Sequence, residues 1–346
     1  MQKTPRCRFQ ASLTVITGLV CLLSAAFGAE LDPLTGQIFI HDPSTVIQDH
    51  GRYYVFGTHQ GITVRSSSDL LEWRREPPVF SEPPAWTWRV TFNDHVDFWA
   101  PDVIHINDKF FVYYAVSSWG KQTSAIGLVT SPTLDPTATN YAWTDGGMVI
   151  QSTNGSDFNT IDPSVMQDRD GSLWLAFGSF WRGIYLTPLD ARTGLRAGTN
   201  SPLYHLAWND SIEASCLTRH RGYYYLFVNW GKCCQGTNST YEVRVGRSRK
   251  ITGPYLDKAG DDLVNGGGSV FLGTEGRFIG PGHIGVLSAG GKTWISYHTY
   301  DAHFNGRSRL YLRQLKWTWG GWPVAGQPIE AATPNPARRV RTRQTS

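Results

Sequence analysis

The feature that most constrains this chain is a segment that occurs five times. Residues 41–58 read HDPSTVIQDHGRYYVFGT, and residues 161–180, which begin 120 positions later, read IDPSVMQDRDGSLWLAFGSF. Each begins with a polar Asp-Pro-Ser entry, reaches a polar turn and continues into an aromatic run, which is the pattern of a β-hairpin. The same order recurs at 99–120, 212–231 and 280–301. A hairpin repeated in this way predicts a modular fold.

A third strand, and in several units a short return strand, follows most of these hairpins, which gives about four strands in each unit. One polar residue anchors each unit, and successive anchors lie 60, 60, 51 and 70 positions apart. These anchors are Asp42, Asp102, Asp162, Glu213 and His283. The period predicts an all-β fold, a five-bladed β-propeller with four-stranded blades around a central channel. A β-sandwich with chance similarity is the alternative, and five recurrences of one order argue against it.

The composition agrees with short strands joined by turns. The 346 residues include 36 Gly, 19 Pro, 14 Trp, 15 Tyr and 16 Phe. Glycine and proline favour turns, whereas aromatic residues favour strands. No segment has sustained helical periodicity.

The two ends of the chain differ from the rest. Residues 1–28 combine a basic start, an apolar run and a small-residue cleavage site, which predicts a signal peptide and a secreted, extracellular protein. A transmembrane helix is the alternative, but the apolar run is short of ~20 residues. Residues 29–331 form the predicted propeller domain, and the basic residues 332–346 form a tail that we expect to be disordered. We expect no membrane association after removal of the signal peptide. Nothing in the sequence argues for an oligomer, so we expect a monomer.

The net charge of +4 comes from these two ends. The signal segment holds three basic residues and the tail holds four, with no acidic residue in either, so the remainder carries a net charge of −3. A nucleic-acid-binding surface needs basic residues on the fold itself. We therefore predict no nucleic-acid partner.

Three cysteines remain after removal of the signal peptide, an odd number for an oxidising compartment. Cys233 and Cys234 are adjacent and Cys216 stands apart. The adjacent pair forms either a vicinal disulfide or two reduced thiols, and without a second pair or a close histidine it does not predict a metal site. Sequons for N-glycosylation in a eukaryotic host lie at Asn154, Asn209 and Asn238.

The propeller prediction gives the repeated anchors a chemical meaning. The first strand of each blade lines the channel, so the same position in every blade points toward one axis. Carboxylates gathered in a partly buried channel repel one another and lose hydration, so their pKa values separate. One carboxyl then stays protonated as an acid while another stays ionised as a base, which is the division that glycoside hydrolysis needs.

The motifs of the chain resemble those of glycoside hydrolase family 43, and within it the endo-acting arabinan 1,5-α-L-arabinanases. The resemblance covers nearly all of residues 33–325, and the order and spacing of the motifs make it specific. The motifs are His41-Asp42-Pro43-Ser44, Trp99-Ala100-Pro101-Asp102, Asn159-Thr160-Ile161-Asp162-Pro163, Gly178-Ser179-Phe180-Trp181-Arg182-Gly183, Ile212-Glu213-Ala214, Cys233-Cys234-Gln235-Gly236-Thr237-Asn238-Ser239-Thr240 and Gly280-Pro281-Gly282-His283.

The resemblance implies a hydrolase of arabinan that inverts anomeric configuration. It assigns the general base to Asp42, the general acid to Glu213, and a third carboxylate that tunes the acid's pKa and orients it to Asp162. An inverting pair is expected about 6.5–9.5 Å apart, which leaves room for the attacking water. An Asp before Pro-Ser can also simply cap a turn, and Glu213 can be an ordinary solvated acid. Asp102 has no acid or base role in the family pattern, and we expect it to bond backbone N–H groups.

Aromatic and polar groups around the mouth are expected to bind the substrate. Aromatic faces stack on sugar faces, while amide and hydroxyl groups fix the ring hydroxyls. The substrate-binding residues predicted in this way are Asp42, Gly120, Asn159, Thr160, Ile161, Asp162, Ser179, Phe180 and Trp181. Packing between blades is the alternative, and for Phe180 it is the favoured one. A long insertion containing Trp86, Trp88 and Phe92 would form a rim of the groove.

His283 corresponds in the family to a histidine at the channel centre that helps to bind an ion, often calcium, largely through water. Calcium prefers oxygen ligands, so a hydrogen-bonded core histidine is the alternative. The chain departs from relatives at Ile284, where they often carry a polar residue, and at Ser215, because the acid motif reads Glu-Ala-Ser. No organic cofactor is expected.

The function predicted from the sequence is therefore endo-hydrolysis of arabinan. An exo-acting α-L-arabinofuranosidase or β-xylosidase of the same family is the first alternative, although the C-terminal β-sandwich common in xylosidase relatives is missing. A secreted, non-catalytic sugar-binding propeller is the second, but such a protein would not need three acids aimed at one axis. A retaining, invertase-like hydrolase lacks support because its Trp-Met-Asn-Asp-Pro-Asn opening is absent.

Overall fold

The computed structural model describes residues 33–59, 61–92 and 95–329. Their strands form five sheets, and each sheet contains four strands that pair antiparallel in chain order. The sheet of blade 1 has in addition a two-residue strand at its outer edge, which pairs parallel. The inner strands of blades 2, 3, 4 and 5 contact one another in that order around the channel. The predicted five-bladed β-propeller is thus confirmed.

The strands of the five blades have the following bounds. Blade 1 contains β1 (Thr35–Gly36), β2 (Ile47–Asp49), β3 (Arg52–Gly57), β4 (Thr63–Ser67) and β5 (Glu72–Glu76). Blade 2 contains β6 (Phe98–Ile106), β7 (Lys109–Ser117), β8 (Ser124–Ser131) and β9 (Thr144–Ser152). Blade 3 contains β10 (Ser164–Gln167), β11 (Leu173–Phe177), β12 (Ile184–Leu189) and β13 (Tyr204–Ala207). Blade 4 contains β14 (Ile212–His220), β15 (Tyr223–Trp230), β16 (Glu242–Ser248) and β17 (Ser269–Leu272). Blade 5 contains β18 (Phe278–Ala289), β19 (Lys292–Asp301), β20 (Arg307–Trp317) and β21 (Pro323–Pro328).

Helical structure is confined to short turns in the described residues. One α-helical turn, α1 (Thr87–Val90), lies in the insertion before blade 2. Three 3₁₀ turns lie at Gly236–Asn238, Leu263–Asn265 and Ala302–Phe304. No helix of the described chain has the length and apolar character needed to cross a bilayer.

The inner hairpins turn where the sequence places residues that accept a positive φ. In blade 2, Asn107 and Asp108 form a two-residue turn with φ of 49° and 61°. Two-residue turns with both φ values positive match the twist of the flanking strands. The corresponding turns of three other blades are His50-Gly51, Arg221-Gly222 and Gly290-Gly291. These turns fix the register of the strand that carries each anchor.

The hydrophobic core of the described chain lies between blades. Its buried side chains fall into five clusters, and each cluster joins one pair of neighbouring blades. The aromatic strand β7 shows the cause, because its residues after Lys109 are all buried and alternate side chains face the blade on either side. Burial of one large apolar side chain stabilises a fold by roughly 1.5–3 kcal/mol. The ring of blades is therefore held by side-chain packing between sheets.

The ring closes between blade 5 and blade 1. The segment that precedes β2 contributes Leu34, Ile38 and Ile40 to a cluster that also contains Leu310 and Leu312 of β20. The backbone N–H of Leu310 donates to the carbonyl of Ile38 at 2.8 Å. The N-terminal part of the propeller thus covers the joint at which the two ends of the ring meet.

The predicted signal peptide, residues 1–28, and the predicted tail, residues 332–346, lie outside the described residues. Both remain predictions.

Replacing Leu310 by alanine should weaken ring closure. The side chain is fully buried at the joint, so we expect the free energy of unfolding to fall by about 2–5 kcal/mol. Urea denaturation followed by tryptophan fluorescence measures the change. Val270→Ala is the control, because Val270 is 52% exposed. An equal loss in both variants would contradict the assignment of the joint.

Candidate active site

Each blade enters or begins its inner strand through a residue with a left-handed backbone. These residues are Asp42, Ala100, Asp162, Ala214 and His283, with φ between 45° and 58°. Non-glycine residues rarely adopt this conformation, and where they do they mark turns or functional sites. In three blades the inner hairpin also changes register here, as in a β-bulge. The repeat thus places a sharp bend at the same end of every inner strand.

This backbone repeat corrects the equivalence inferred from the sequence for two blades. Asp102 lies two residues after the bend of its blade, at Ala100, and Glu213 lies one residue before Ala214. The reason is local, since Ala100-Pro101 occupies the place of Asp42-Pro43.

The position of Asp102 explains its different partners. Its two carboxylate oxygens accept hydrogen bonds from the backbone N–H of Thr45, at 3.1 Å, and of Val165, at 3.0 Å. Asp102 therefore links the inner strand of blade 2 to those of blades 1 and 3. It bonds backbone N–H groups as the sequence analysis expected.

Asp42 lies among hydrogen-bond donors and histidines. The hydroxyl of Thr58 donates to Asp42 Oδ2 at 2.6 Å, and His41 Nδ1 lies 2.8 Å from the same oxygen. The Nδ1 atoms of His283 and His298 lie 3.7 and 3.6 Å from Asp42 Oδ1. Burial alone would raise the pKa of Asp42, but the His41 ring, together with the other two histidines, holds it well below its usual range. Asp42 is therefore the ionised carboxylate of the site.

Glu213 keeps its proton to a higher pH than an ordinary glutamic acid does. It is buried, and it accepts a hydrogen bond from the hydroxyl of Tyr241. Burial raises the pKa of Glu213 to about 7, the bond from Tyr241 opposes this rise, and the charge of Asp42 adds to it. Glu213 and Asp42 thus differ in protonation at one end of the channel.

Asp162 shares this environment. One of its oxygens accepts the backbone N–H of Ala214, the residue next to Glu213, at 2.9 Å. Burial raises the pKa of Asp162 well above its ordinary value, and the nearby charges of Glu213 and Asp42 add to the rise. The structure therefore brings the three predicted carboxyl groups into one electrostatically coupled site.

Four predicted substrate-binding residues lie below the surface. The Asn159 side chain accepts from Ser124 at 2.7 Å and donates to the hydroxyl of Ser179 at 2.9 Å. The hydroxyl of Thr160 donates to the carbonyl of Ser124 at 2.6 Å. Ile161 is also buried. These side chains link blades 2 and 3 beneath the mouth, and their polar groups are already paired within the protein.

Phe180 and Trp181 lie at the surface. They are 37% and 41% exposed, and both have a positive φ, 43° and 34°. The indole N–H of Trp208 donates to the carbonyl of Trp181 at 3.1 Å, which helps to hold this bend. Gly120 also has a positive φ, and a side chain there would meet nothing within 4 Å. Both bends thus leave exposed surface at the ends of their hairpins.

Exposed aromatic side chains extend this surface. Trp119, beside Gly120, is 74% exposed and contacts Trp99 edge to face, with ring centroids 6.3 Å apart. In the insertion before blade 2, Trp88 and Phe92 are exposed, whereas Trp86 packs against the core between blades 1 and 2. Only part of that insertion is therefore available to a ligand.

Five residues that contact the carboxyl groups, or contact the groups beside them, were not assigned by the sequence analysis. They are His41, Thr58, Tyr241, His298 and Tyr300. A signal existed for His298 and Tyr300, because alternate residues of the aromatic strand of blade 5 share one face. No local sequence pattern identifies Thr58 or Tyr241, because only tertiary packing brings these residues to the site.

The adjacent cysteines form a disulfide, Cys233–Cys234, whereas Cys216 is a buried free thiol. The backbone N–H of Cys234 donates to the hydroxyl of Tyr300 at 2.7 Å, and its sulfur lies 3.8 Å from His41 Nε2. Of the two states left open by the sequence, the disulfide is the one observed, and it lies beside the carboxyl site.

One group of side chains has the spacing of a metal site. Ligand atoms of His41, Asp42 and His298 lie within 4.8 Å of one another. Calcium does not fit direct coordination by this group, because two of its three donors are imidazoles. His41 contacts Asp42 and Tyr300 through its two nitrogens, and His298 Nδ1 accepts the Asp42 backbone N–H at 3.2 Å.

His283 is better placed than this group to contact a metal ion through a bridging water. Its backbone N–H donates to Asn229 at 3.1 Å. Its ring has no hydrogen bond within the part of the chain that the structure describes, and it lies 3.7 Å from Asp42 Oδ1. Burial lowers the pKa of His283, and the charge of Asp42 opposes this; in its neutral form the ring can accept a bond from a metal-bound water.

Known proteins share this architecture along most of the chain. An extracellular endo-α-(1→5)-L-arabinanase of Bacillus subtilis is 38% identical over 321 residues, which cover 90% of this chain and 95% of that protein. An extracellular exo-α-(1→5)-L-arabinofuranosidase of Cellvibrio japonicus is 38% identical over 304 residues, 83% of this chain and 86% of that protein. The solved structure of a Cellvibrio cellulosa α-L-arabinanase complexed with arabinohexaose superposes with a TM-score of 0.79 at 37% identity, and covers 84% of this chain and 96% of that one.

The family assignment rests on the whole propeller. The model of the family described as "Glycosyl hydrolases family 43" matches residues 34–323, from the segment that closes the ring to the last strand of blade 5. With its five blades and three coupled carboxyl groups, the chain belongs to glycosyl hydrolases family 43 and is a glycoside hydrolase.

Proposed function

We propose that this protein is a secreted endo-arabinanase, which cuts internal α-1,5-L-arabinofuranosidic links of arabinan with inversion of configuration. The observation that carries the proposal is the contrast between two carboxyl environments. Asp42 lies against the Thr58 hydroxyl and three histidines, whereas Glu213 is buried against Tyr241 and its pKa is raised to about 7. The endo mode and the substrate are supported by relatives named as endo-arabinanases.

In the proposed reaction the two carboxyl groups act on opposite sides of the bond to be cleaved. Asp42 takes a proton from water as the water oxygen bonds to the anomeric carbon. The bond from that carbon to the glycosidic oxygen breaks, and Glu213 gives its proton to the departing oxygen. The products are two chains, one of which carries a new hemiacetal hydroxyl of inverted configuration.

Asp162 is proposed as the positioning residue for the acid. It holds the backbone N–H of Ala214, and the bend at Ala214 sets the direction of the neighbouring Glu213. Asp162 and Glu213 do not readily ionise together, because two carboxylates in one buried site repel each other. Loss of Asp162 would therefore misplace the acid.

The sugar chain is proposed to lie across the exposed bends. Phe180 and Trp181 offer apolar surface for furanose faces, and Gly120 leaves room for a ring. The buried Asn159 and Ser179 would support this surface from below, with Thr160 and Ile161 beside them. Asp42 and Asp162 would contact the sugar at the cleaved bond.

We propose further that His283 helps to hold a calcium ion through water. Such an ion would supply positive charge near Asp42 and favour its ionised form. Extracellular localisation after removal of residues 1–28 is supported by the two relatives above, both of which are described as extracellular. We propose also that the protein is a monomer and that it carries N-glycans at the three sequons.

An exo-acting α-L-arabinofuranosidase is the second candidate. The observation that favours it is the 38% identity to the Cellvibrio japonicus protein of that name. Both candidates use the same three carboxyl groups, so only the products separate them.

Asp42→Asn and Glu213→Gln should each keep the fold and lose hydrolysis. Each change keeps the size of the side chain but removes a proton acceptor or donor, so kcat on linear arabinan should fall by roughly 10²–10⁴-fold. Reducing-sugar release measures kcat, and circular dichroism checks the fold. The matched controls are Asp261→Asn and Glu72→Gln, which change exposed acids. Normal activity in either site variant would refute the assignment.

The pH profile should report the protonation of Glu213. The acid must be protonated, so kcat/KM should fall as pH rises through about 7. The hydrogen bond from Tyr241 lowers the pKa of Glu213, so in Tyr241→Phe the alkaline limb should move to higher pH. A shift to lower pH, or none, would show that another group controls this limb.

The products should distinguish the two candidate functions. Debranched linear arabinan, with proton NMR of the first-formed anomer, should give mixed oligosaccharides of inverted configuration. Release of arabinose alone would establish the exo mode, and a retained configuration would exclude the acid–base pair. Incubation of the same arabinan with the Glu213→Gln variant measures product release that does not depend on the catalytic acid.

A further inference from the structure

One surface loop contacts both halves of the catalytic site. This loop, residues 231–241, connects β15 to β16, and we call it the cysteine loop because it contains Cys233 and Cys234. Its last residue, Tyr241, donates a hydrogen bond to Glu213. Its disulfide lies near His41, the neighbour of Asp42.

A chain of polar contacts runs from the disulfide to the carboxylate. The backbone N–H of Cys234 donates to the hydroxyl of Tyr300 at 2.7 Å. That hydroxyl lies 2.9 Å from His41 Nε2, and His41 Nδ1 lies 2.8 Å from Asp42 Oδ2. Three contacts thus join a surface sulfur bridge to Asp42.

The hydrogen bonds in this series of contacts can all be donated in one direction, from Cys234 toward Asp42. The Tyr300 hydroxyl accepts from Cys234, so its single proton is available for His41 Nε2. A neutral His41 that accepts at Nε2 carries its proton on Nδ1, and it then donates to Asp42. In this arrangement the Cys234 N–H, the Tyr300 hydroxyl and a neutral His41 form one directed set of hydrogen bonds that ends at Asp42.

The disulfide constrains that N–H. Cys234 has a left-handed backbone, with φ of 60°, a conformation that a non-glycine residue keeps only when its surroundings enforce it. The covalent bond to Cys233 supplies such a restraint. The rest of the loop is held separately, because Lys232 and Thr240 bond each other across its base.

We propose that the Cys233–Cys234 disulfide is a positioning element for Asp42, and that a dithiol reductant switches it off. The proposal rests on the proposed function, in which Asp42 is the general base. A dithiol transfers two electrons and two protons to the bridge. The S–S bond breaks, two cysteine thiols form, and the reagent leaves as its own cyclic disulfide.

Reduction of the disulfide weakens each contact between Cys234 and Asp42 in turn. Cys234 loses its restraint, its N–H no longer holds Tyr300, and His41 is free to turn away from Asp42. The base then loses its fixed direction toward the attacking water, and small misplacements of this kind reduce rates by up to about 10²-fold. The exposed aromatic surface that binds the sugar chain is unchanged, so the effect falls on kcat.

The first experiment treats the full-length wild-type enzyme with dithiothreitol and measures kcat and KM on linear arabinan. We expect kcat to fall by roughly 10- to 100-fold with KM within about twofold, and reoxidation to restore it. Alkylation followed by mass spectrometry verifies that the bridge is open. An unchanged kcat after verified reduction, or a loss confined to KM, would overturn the proposal.

Three variants make the test independent of the reagent. Cys233→Ser with Cys234→Ser should match the reduced wild type and should not respond to dithiothreitol. Tyr300→Phe should also lower kcat, and reductant should cause no further loss, because the chain is already broken. Tyr297→Phe, on the same strand but packed in the core between blades 4 and 5, is the control and should behave like wild type.

The outcomes separate this proposal from the proposed function. If wild type cleaves arabinan and Asp42→Asn does not, the general base is established whatever the reductant does. If dithiothreitol then slows Tyr300→Phe as much as wild type, the disulfide does not act through Tyr300 and the positioning role is refuted. If the double serine variant unfolds, the comparison of Tyr300→Phe with Tyr297→Phe still decides.

Discussion

The burial of side chains between neighbouring blades is the constraint on which the rest of this structure depends. A four-stranded sheet of this size has two apolar faces, and a ring buries both faces of every sheet. The joint between blade 5 and blade 1 completes that ring, with the segment before β2 packed against β20. Closure of the ring places the starts of the inner strands close together.

The chemistry of the site is a consequence of that closure. Asp42, Asp162 and Glu213 lie on three different blades, and packing forces them into one buried region despite their mutual repulsion. The histidines beside Asp42 keep that carboxyl ionised, whereas Glu213 and Asp162 are driven toward their neutral forms. The proposed division of labour between base and acid thus arises from which neighbours each blade supplies, since all three residues are carboxylic acids.

The fold could be predicted from the sequence because the repeat consists of local patterns. Turn residues, alternation and aromatic runs all act over a few residues, and five copies of one pattern reinforce each other. The equivalence of Asp102 and Glu213 with Asp42 was wrong by two residues and one residue, because a bulge changes the register without changing the local pattern. Thr58 and Tyr241 were missed for the same kind of reason, as they reach the carboxyl groups only through the packing of one segment on another.

The sequence by itself determined that the chain is a five-bladed propeller, that it resembles family 43, and that three acids meet near one axis. Only the tertiary structure decided which proton each acid keeps and which groups support it. Local periodicity specifies strands and turns, because their hydrogen bonds join neighbours in the chain. The pKa of a carboxyl depends on burial and on charges within a few ångströms, and those neighbours come from blades that are far apart in sequence.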